Sequence, residues 1–174
     1  RIILLFTLFI VSFFPTASSQ TPAIENLEKE LAAHNRIDTT RVNLLNKLGY
    51  ELYAIDSGKA GEYAQEAQKI STRLNYPAGD AASLWVTGLI IRNTPKKALE
   101  HFERALSIAE RIKDPTSICN YLLAISSIQK AMGNIKASDE AIEKGLQAST
   151  VLKDPDIRIK LLYNSATNLT SKGQ

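Results

Sequence analysis

The chain has 174 residues, 44% of them hydrophobic but only 7% aromatic, and a net charge of +3 from 21 basic and 18 acidic side chains. That length can bury a real core made of many small aliphatic contacts, and eight Gly and six Pro are too few for a turn-rich all-β chain. The charges are scattered without a block of one sign that could track a phosphate backbone, which argues against a nucleic-acid partner, and the pI near 9.0 reflects only a small surplus.

Residues 2–14, IILLFTLFIVSFF, form an apolar run that is short for a membrane span and right for the apolar region of a secretory signal. Pro15 follows, and Ala17-Ser18-Ser19 places small residues where a signal peptidase reads, so residues 1–19 are expected to be a signal peptide cleaved after Ser19. A retained signal anchor is the alternative reading, because only Arg1 stands for the basic region and no initiator Met is present. The expected location is periplasmic or extracytoplasmic. There a single Cys119 excludes an internal disulfide, and among Ile118, Tyr121 and Leu122 it reads as a small buried hydrophobe.

Self-similarity organises the rest. AQKISTRLNYP at 67–77, ALSIAERIKDP at 105–115 and GLQASTVLKDP at 145–155 repeat one run, and their closing prolines Pro77, Pro115 and Pro155 lie 38 and 40 residues apart. Within each unit, apolar residues recur at spacings of three and four, as in Leu45, Leu48, Leu52 and Ala60, Ala64, Ala67, Ile70, so each unit reads as two helices. In chain order the prediction is a lead-in helix near 23–36 within a cap at 20–38, then pairs at 39–55 with 58–75, 79–93 with 95–112, and 115–132 with 134–151. A last helix at 155–171 has no partner, so the repeat domain at 39–174 is expected to be truncated within its last repeat. Asp114-Pro115, Asp154-Pro155 and Thr94-Pro95 are read as helix starts with a capping side chain followed by a first-turn Pro, and Asp38 and Asp80 as caps of the other long helices. Tight turns at Asp56-Ser57-Gly58, Arg92-Asn93-Thr94-Pro95 and Gly133-Asn134 make each pair antiparallel.

Leu45, Leu48-Gly49, Leu52, Ala60 and Ala67 in the first unit, and Leu84, Gly88, Ile91, Ala98, Phe102 and Ala105 in the second, resemble the tetratricopeptide repeat. The third unit departs, with Ser126 in place of Gly and with Ser138, Ile142 and Gly145 in place of small-aromatic-small. The resemblance implies an all-α, right-handed superhelix of antiparallel helix pairs. The period near 39 exceeds the 34 usual for this repeat, so each second helix is expected to run more than a turn longer. DTTRVNLLNKLGYEL at 38–52, after ENLEKEL, is similar to the extracytoplasmic repeat region of membrane-bound bacterial histidine kinases and related regulators. That similarity implies a sensor region in signal transduction, with any catalytic domain outside these residues.

A search for chemistry finds little. His34 and His101 are the only histidines and neither has a His or Cys at ligand spacing, so no metal is expected. Phosphate-cradling Gly motifs are missing, so no cofactor is expected. Glu28/Glu30 and Asp139/Glu140 read as solvated charges on helix faces, and Asn168-Leu169-Thr170 is a chance-level glycosylation tripeptide. The reading is therefore a protein that is not an enzyme and that binds a protein or peptide, touching a membrane only through its signal or a missing C-terminal region.

Tetratricopeptide arrays bind along the concave side lined by first helices, which makes the polar and aromatic residues there the candidates: Asn43, Asn46, Tyr50, Tyr53, Trp85, Arg92, Asn120, Lys130 and Tyr163, flanked by Leu123, Ser127 and Lys160. Tyr, Trp and Arg dominate binding energies at such surfaces, although Trp85 reads equally well as core. Asn46 with Tyr50 does not reproduce the family's carboxylate clamp, so recognition of a peptide terminus is not implied.

Overall fold

A computed structural model describes residues 22–171. The expected signal segment at 1–19, its cleavage point and the final Lys172-Gly173-Gln174 lie outside the described residues. Within them every regular element is helical: α1 (Pro22–Ala33), α2 (Thr39–Leu52), α3 (Ser57–Leu74), α4 (Pro77–Ile90), α5 (Pro95–Ile112), α6 (Pro115–Ala131), α7 (Ile135–Ala148) and α8 (Asp156–Ser171), with one 3-10 turn at Ser149–Val151.

Side chains start some helices and backbone geometry starts others. Asp38 accepts from the Arg41 amide at 3.1 Å, Asp56 from the Lys59 amide at 3.0 Å, and Asp114 from the amides of Thr116 and Ser117 at 3.1 and 3.2 Å. Asp80 does not cap. Helix α4 begins earlier, at Pro77, whose fixed φ suits the first helical position, and Asp80 falls within the first turn, where it accepts from Gln68 Nε2 at 3.3 Å. Thr94 likewise makes no side-chain cap, because its hydroxyl donates backwards to the Ile91 carbonyl at 3.0 Å. Asp154-Pro155 misses the expected start by one residue: α8 begins at Asp156, Pro155 lies before its first turn and only accepts, through its carbonyl, from the Ile159 amide at 2.9 Å, and Asp154 takes the Asp156 amide at 2.9 Å.

Helices α3 and α5 end alike, on left-handed residues one repeat apart, Asn75 (φ 50°) and Lys113 (φ 57°). Beyond each, the next amide reaches back five residues, from Tyr76 to Ser71 at 2.9 Å and from Asp114 to Ala109 at 3.0 Å, satisfying carbonyls the helix leaves open. The third repeat departs from this. Helices α3 and α5 have the expected extra length at 18 residues each, but α7 stops after 14. Its partner α6 takes up the difference with 17 residues against 14 in α4, and α7 tightens into the 3-10 turn, with the Ser149 hydroxyl on the Leu146 carbonyl at 2.7 Å. Between α6 and α7 the chain turns at Gly133 with φ +80°, a conformation that suits Gly because it lacks a Cβ.

Consecutive helices pack throughout, as a helical-repeat architecture does, and a second set of contacts decides which face does what. First helices touch one another directly, α2 to α4, α4 to α6 and α6 to α8, while no comparable contact joins α3 to α5 or α5 to α7 among the described residues. The first-helix row is thus the tight inner one and the second-helix row is spread, which makes the first-helix side concave. Small residues on the second helices let the rows approach: Ala60, Ala64 and Ala67 in α3, and Ala98 and Ala105 around Phe102 in α5, are all essentially buried. Gly88 of α4 faces Phe102 so closely that a Cβ there would lie 2.5 Å from the ring.

Polar pairs fix the start of the array. Glu28 on α1 pairs with Lys59 and accepts from the Tyr63 hydroxyl at 3.4 Å, so it clamps α1 to α3 instead of facing solvent. Arg41 binds Glu66 through Nε and Nη2 at 3.0 and 2.7 Å and the His34 carbonyl through Nη1 at 3.2 Å, while His34 Nε2 meets Asp38 Oδ1 at 2.7 Å. Asp139 is not a free surface charge either, since it accepts from Asn168 Nδ2 at 2.7 Å.

Candidate functional site

The inner row carries a line of rings. Tyr50 of α2 stacks on Trp85 of α4 with centroids 4.9 Å apart and planes 16° apart, Tyr53 lies 5.7 Å from Tyr50, and Tyr121 of α6 lies 5.8 Å from Trp85. Helical spacing brings Tyr50 and Tyr53 to one face of α2, and contact between neighbouring first helices brings Trp85 up to them. Arg92, in the turn after α4, lays its guanidinium over the Tyr53 ring at 5.6 Å.

Three adjoining hollows run along this row. The first, about 370 Å3, is lined by Asn43, Asn46, Lys47, Tyr50, Trp85 and Asn120 among others. A second of about 350 Å3 shares Tyr50, Trp85 and Asn120 and adds Tyr53, Leu89, Arg92, Leu123, Ser127 and Lys160. The third, about 370 Å3, shares Leu123, Ser127 and Lys160 and ends at Tyr163 and Asn164 of α8. Together they make one groove across α2, α4, α6 and α8. Burial above all pushes the Tyr50 phenol up, and raises that of Tyr121, buried behind Trp85, to about 12.

Eight of the nine candidate residues therefore border one surface, in different ways. Tyr50 is 39% exposed and Tyr163 69% exposed, both open to a ligand. Asn43 is exposed and accepts from the Tyr76 hydroxyl at 3.1 Å. Asn46 is spoken for inside the fold: it is buried, its amide donates to the Gly79 carbonyl at 3.0 Å, and its oxygen accepts from the Ser83 hydroxyl at 2.9 Å. Its work is to join α2 to α4. Trp85 is half-buried, packs against two core clusters and also lines two of the hollows, with Nε1 buried and without a partner. Lys130 lines none of the three, because it sits a turn past Ser127, towards the end of α6.

Sequence reasoning missed Lys47, Leu89, Tyr121 and Asn164. Lys47 had a usable signal, lying four residues after Asn43 and three before Tyr50 on one helix. Tyr121 had none, since its spacing is that of core, and it is in fact buried.

Reactive groups stay apart from this groove or from one another. Among the described residues no three His, Cys, Asp or Glu side chains gather as metal ligands. Cys119 is fully buried with Sγ 3.4 Å from the Gly145 carbonyl, and burial pushes its thiol up. His101 is held below its usual value, first by burial and then by Arg104, and its Nδ1 has no partner. Asn168 of the glycosylation tripeptide is buried with its amide donated to Ser138 and Asp139, so it cannot serve as an acceptor in the folded chain. No helix among the described residues is long and apolar enough to cross a membrane. Set against known proteins, the chain matches no protein-family model and no curated protein sequence.

Proposed function

We propose that this chain is a non-enzymatic array of tetratricopeptide type, wound as a right-handed superhelix, that holds another polypeptide along the groove of its first helices. One observation carries the reading: four successive first helices contribute aromatic, amide and cationic side chains to one continuous concave surface. Such a surface offers large rigid rings at small entropic cost and leaves hydrogen-bonding groups beside them, which suits an extended segment more than a compact metabolite. The apolar run at 2–14 supports extending the reading to an exported protein.

Display selection of random peptides on the folded chain tests it. Enriched peptides should compete with one another for a single surface, and Tyr50→Ala or Arg92→Ala should weaken them by about 1–3 kcal/mol at unchanged helicity. Glu103→Ala, on the exposed side of α5, should change nothing. Selection that enriches no peptide, or peptides indifferent to both groove substitutions, would sink the proposal. Trp85→Ala is a poor probe here, since its ring also supports two core clusters.

A further inference from the structure

Resting on that reading, we infer that the groove selects an acidic polypeptide segment, one whose Asp or Glu side chains flank an apolar or aromatic residue set against Tyr50 and Trp85. The lining of the three hollows includes Lys47, Arg92 and Lys160 and not one carboxylate. Cations elsewhere in the fold are differently placed, for Arg41 pairs with Glu66 and Lys59 with Glu28, whereas no ion pair of the described residues involves Lys47, Arg92 or Lys160.

At the middle of the row the surrounding charges reinforce the bias. Helix α6, at the middle of the row, has no acidic residue at all, and the one carboxylate of α4, Asp80, points to Gln68 on α3. Glu51 acts on Tyr50 electrostatically from outside the lining, and at the α8 end Asp154 and Asp156 line an adjoining hollow, with Lys153, that shares Asn120 and Lys160 with the groove, so the cationic bias is least opposed around Lys47 and Arg92. Arg92 is oriented in advance by the Tyr53 ring beneath it, which leaves its edge N–H groups free for a carboxylate. In a concave site with low-dielectric walls, unpaired charges of one sign act together on an incoming chain. Three separated cations are sparse for the evenly spaced phosphates of a nucleic acid, which favours acidic side chains as the occupant.

Fluorescence anisotropy on the full chain decides this with short labelled peptides built on a fixed Tyr-Leu centre and flanked by Glu, by Gln or by Lys. A labelled oligothymidylate is the fourth probe. The Glu peptide should bind about ten-fold more tightly than the Gln peptide, with the Lys peptide weakest, and raising salt from about 50 to about 300 mM should erase most of that gap. Arg92→Glu should invert the order of the Glu and Lys peptides, and Lys160→Gln should narrow it; both positions are exposed, and far-UV circular dichroism confirms folding. Equal binding of Glu and Gln peptides, lost in Tyr50→Ala, overturns the charge preference and leaves the groove reading standing. Binding of none of the peptides overturns both, and tighter binding of the oligothymidylate overturns the acidic polypeptide as occupant.

Discussion

At the scale of single residues, contact geometry separates substitutions that look alike in sequence. Gly88 and Gly61 both sit inside helices, yet a Cβ at Gly88 would lie 2.5 and 2.8 Å from Phe102 ring atoms while one at Gly61 would meet nothing within 4 Å. Phe102 is 1% exposed and has no room to retreat. Gly88→Ala should therefore destabilise by about 1–3 kcal/mol through overpacking, and Gly61→Ala should stabilise by about 0.5–1 kcal/mol through helix propensity alone. Urea unfolding of the two variants checks both signs. His101 supplies a pH effect. Its folded-state pKa lies below the ordinary 6.5, so the unfolded chain takes up the proton first. Stability from this group is complete above about pH 6.5 and is lost as pH falls through that value towards the lower folded one. His101→Gln should flatten the unfolding free energy between pH 7 and pH 5, and an unchanged slope would remove His101 as the cause.

Helix ends carry the argument at the scale of elements. Asp114 holds three donors at the start of α6, two backbone amides and the Ser117 hydroxyl at 2.6 Å, whereas Thr94 at the start of α5 holds none of that helix's amides. Asp114→Ala should cost about 1 kcal/mol, and Thr94→Ala less than about 0.5 kcal/mol; thermal or chemical unfolding measures the difference. Equal losses would mean that Pro at the first helical position, common to both, dominates the start. Thr94-Pro95 and Asp114-Pro115 were legible as helix starts because Pro fixes φ locally, while at Asp154-Pro155 the helix begins one residue later. Which side chain bonds which amide was not, since that depends on rotamers set by the preceding turn.

For the whole molecule, position in the array outweighs residue type. Leu122 of α6 and Leu162 of α8 hold the same place, seven residues after Pro115 and Pro155, but Leu122 is 3% exposed and Leu162 49% exposed. Helix α7 accounts for this: its Ala141 belongs to the cluster that buries Leu122, and a Cβ on its Gly145 would lie 3.6 Å from the Leu122 Cβ. No second helix covers α8 among the described residues, and Ile159, Leu162, Tyr163 and Leu169 stand exposed along it. Leu122→Ala should cost about 2–5 kcal/mol, and Leu162→Ala less than about 1 kcal/mol. A large loss at Leu162, read with the protein's mass in solution, would show a neighbour covering α8.

The sequence by itself determined the helices and their pairing, because apolar spacing, Pro at first turns and a recurring 38–40-residue unit are properties of local chain geometry that survive without tertiary context. It also placed Tyr50 and Trp85 on first helices, for the same reason, whereas Tyr53 and Arg92, expected on those helices too, fall just past their ends. Tertiary structure alone decided what those residues do. Asn46 and Trp85 occupy equivalent places, three residues before Gly49 and Gly88, yet one is turned inward onto Gly79 and Ser83 of the next helix while the other stacks outward on Tyr50. Lys47 joined the groove and Lys130 fell outside it by the stagger of neighbouring helices. Such outcomes depend on the angle and shift at which whole helices meet, which are set jointly by every side chain between them and so cannot be read from spacing along one chain.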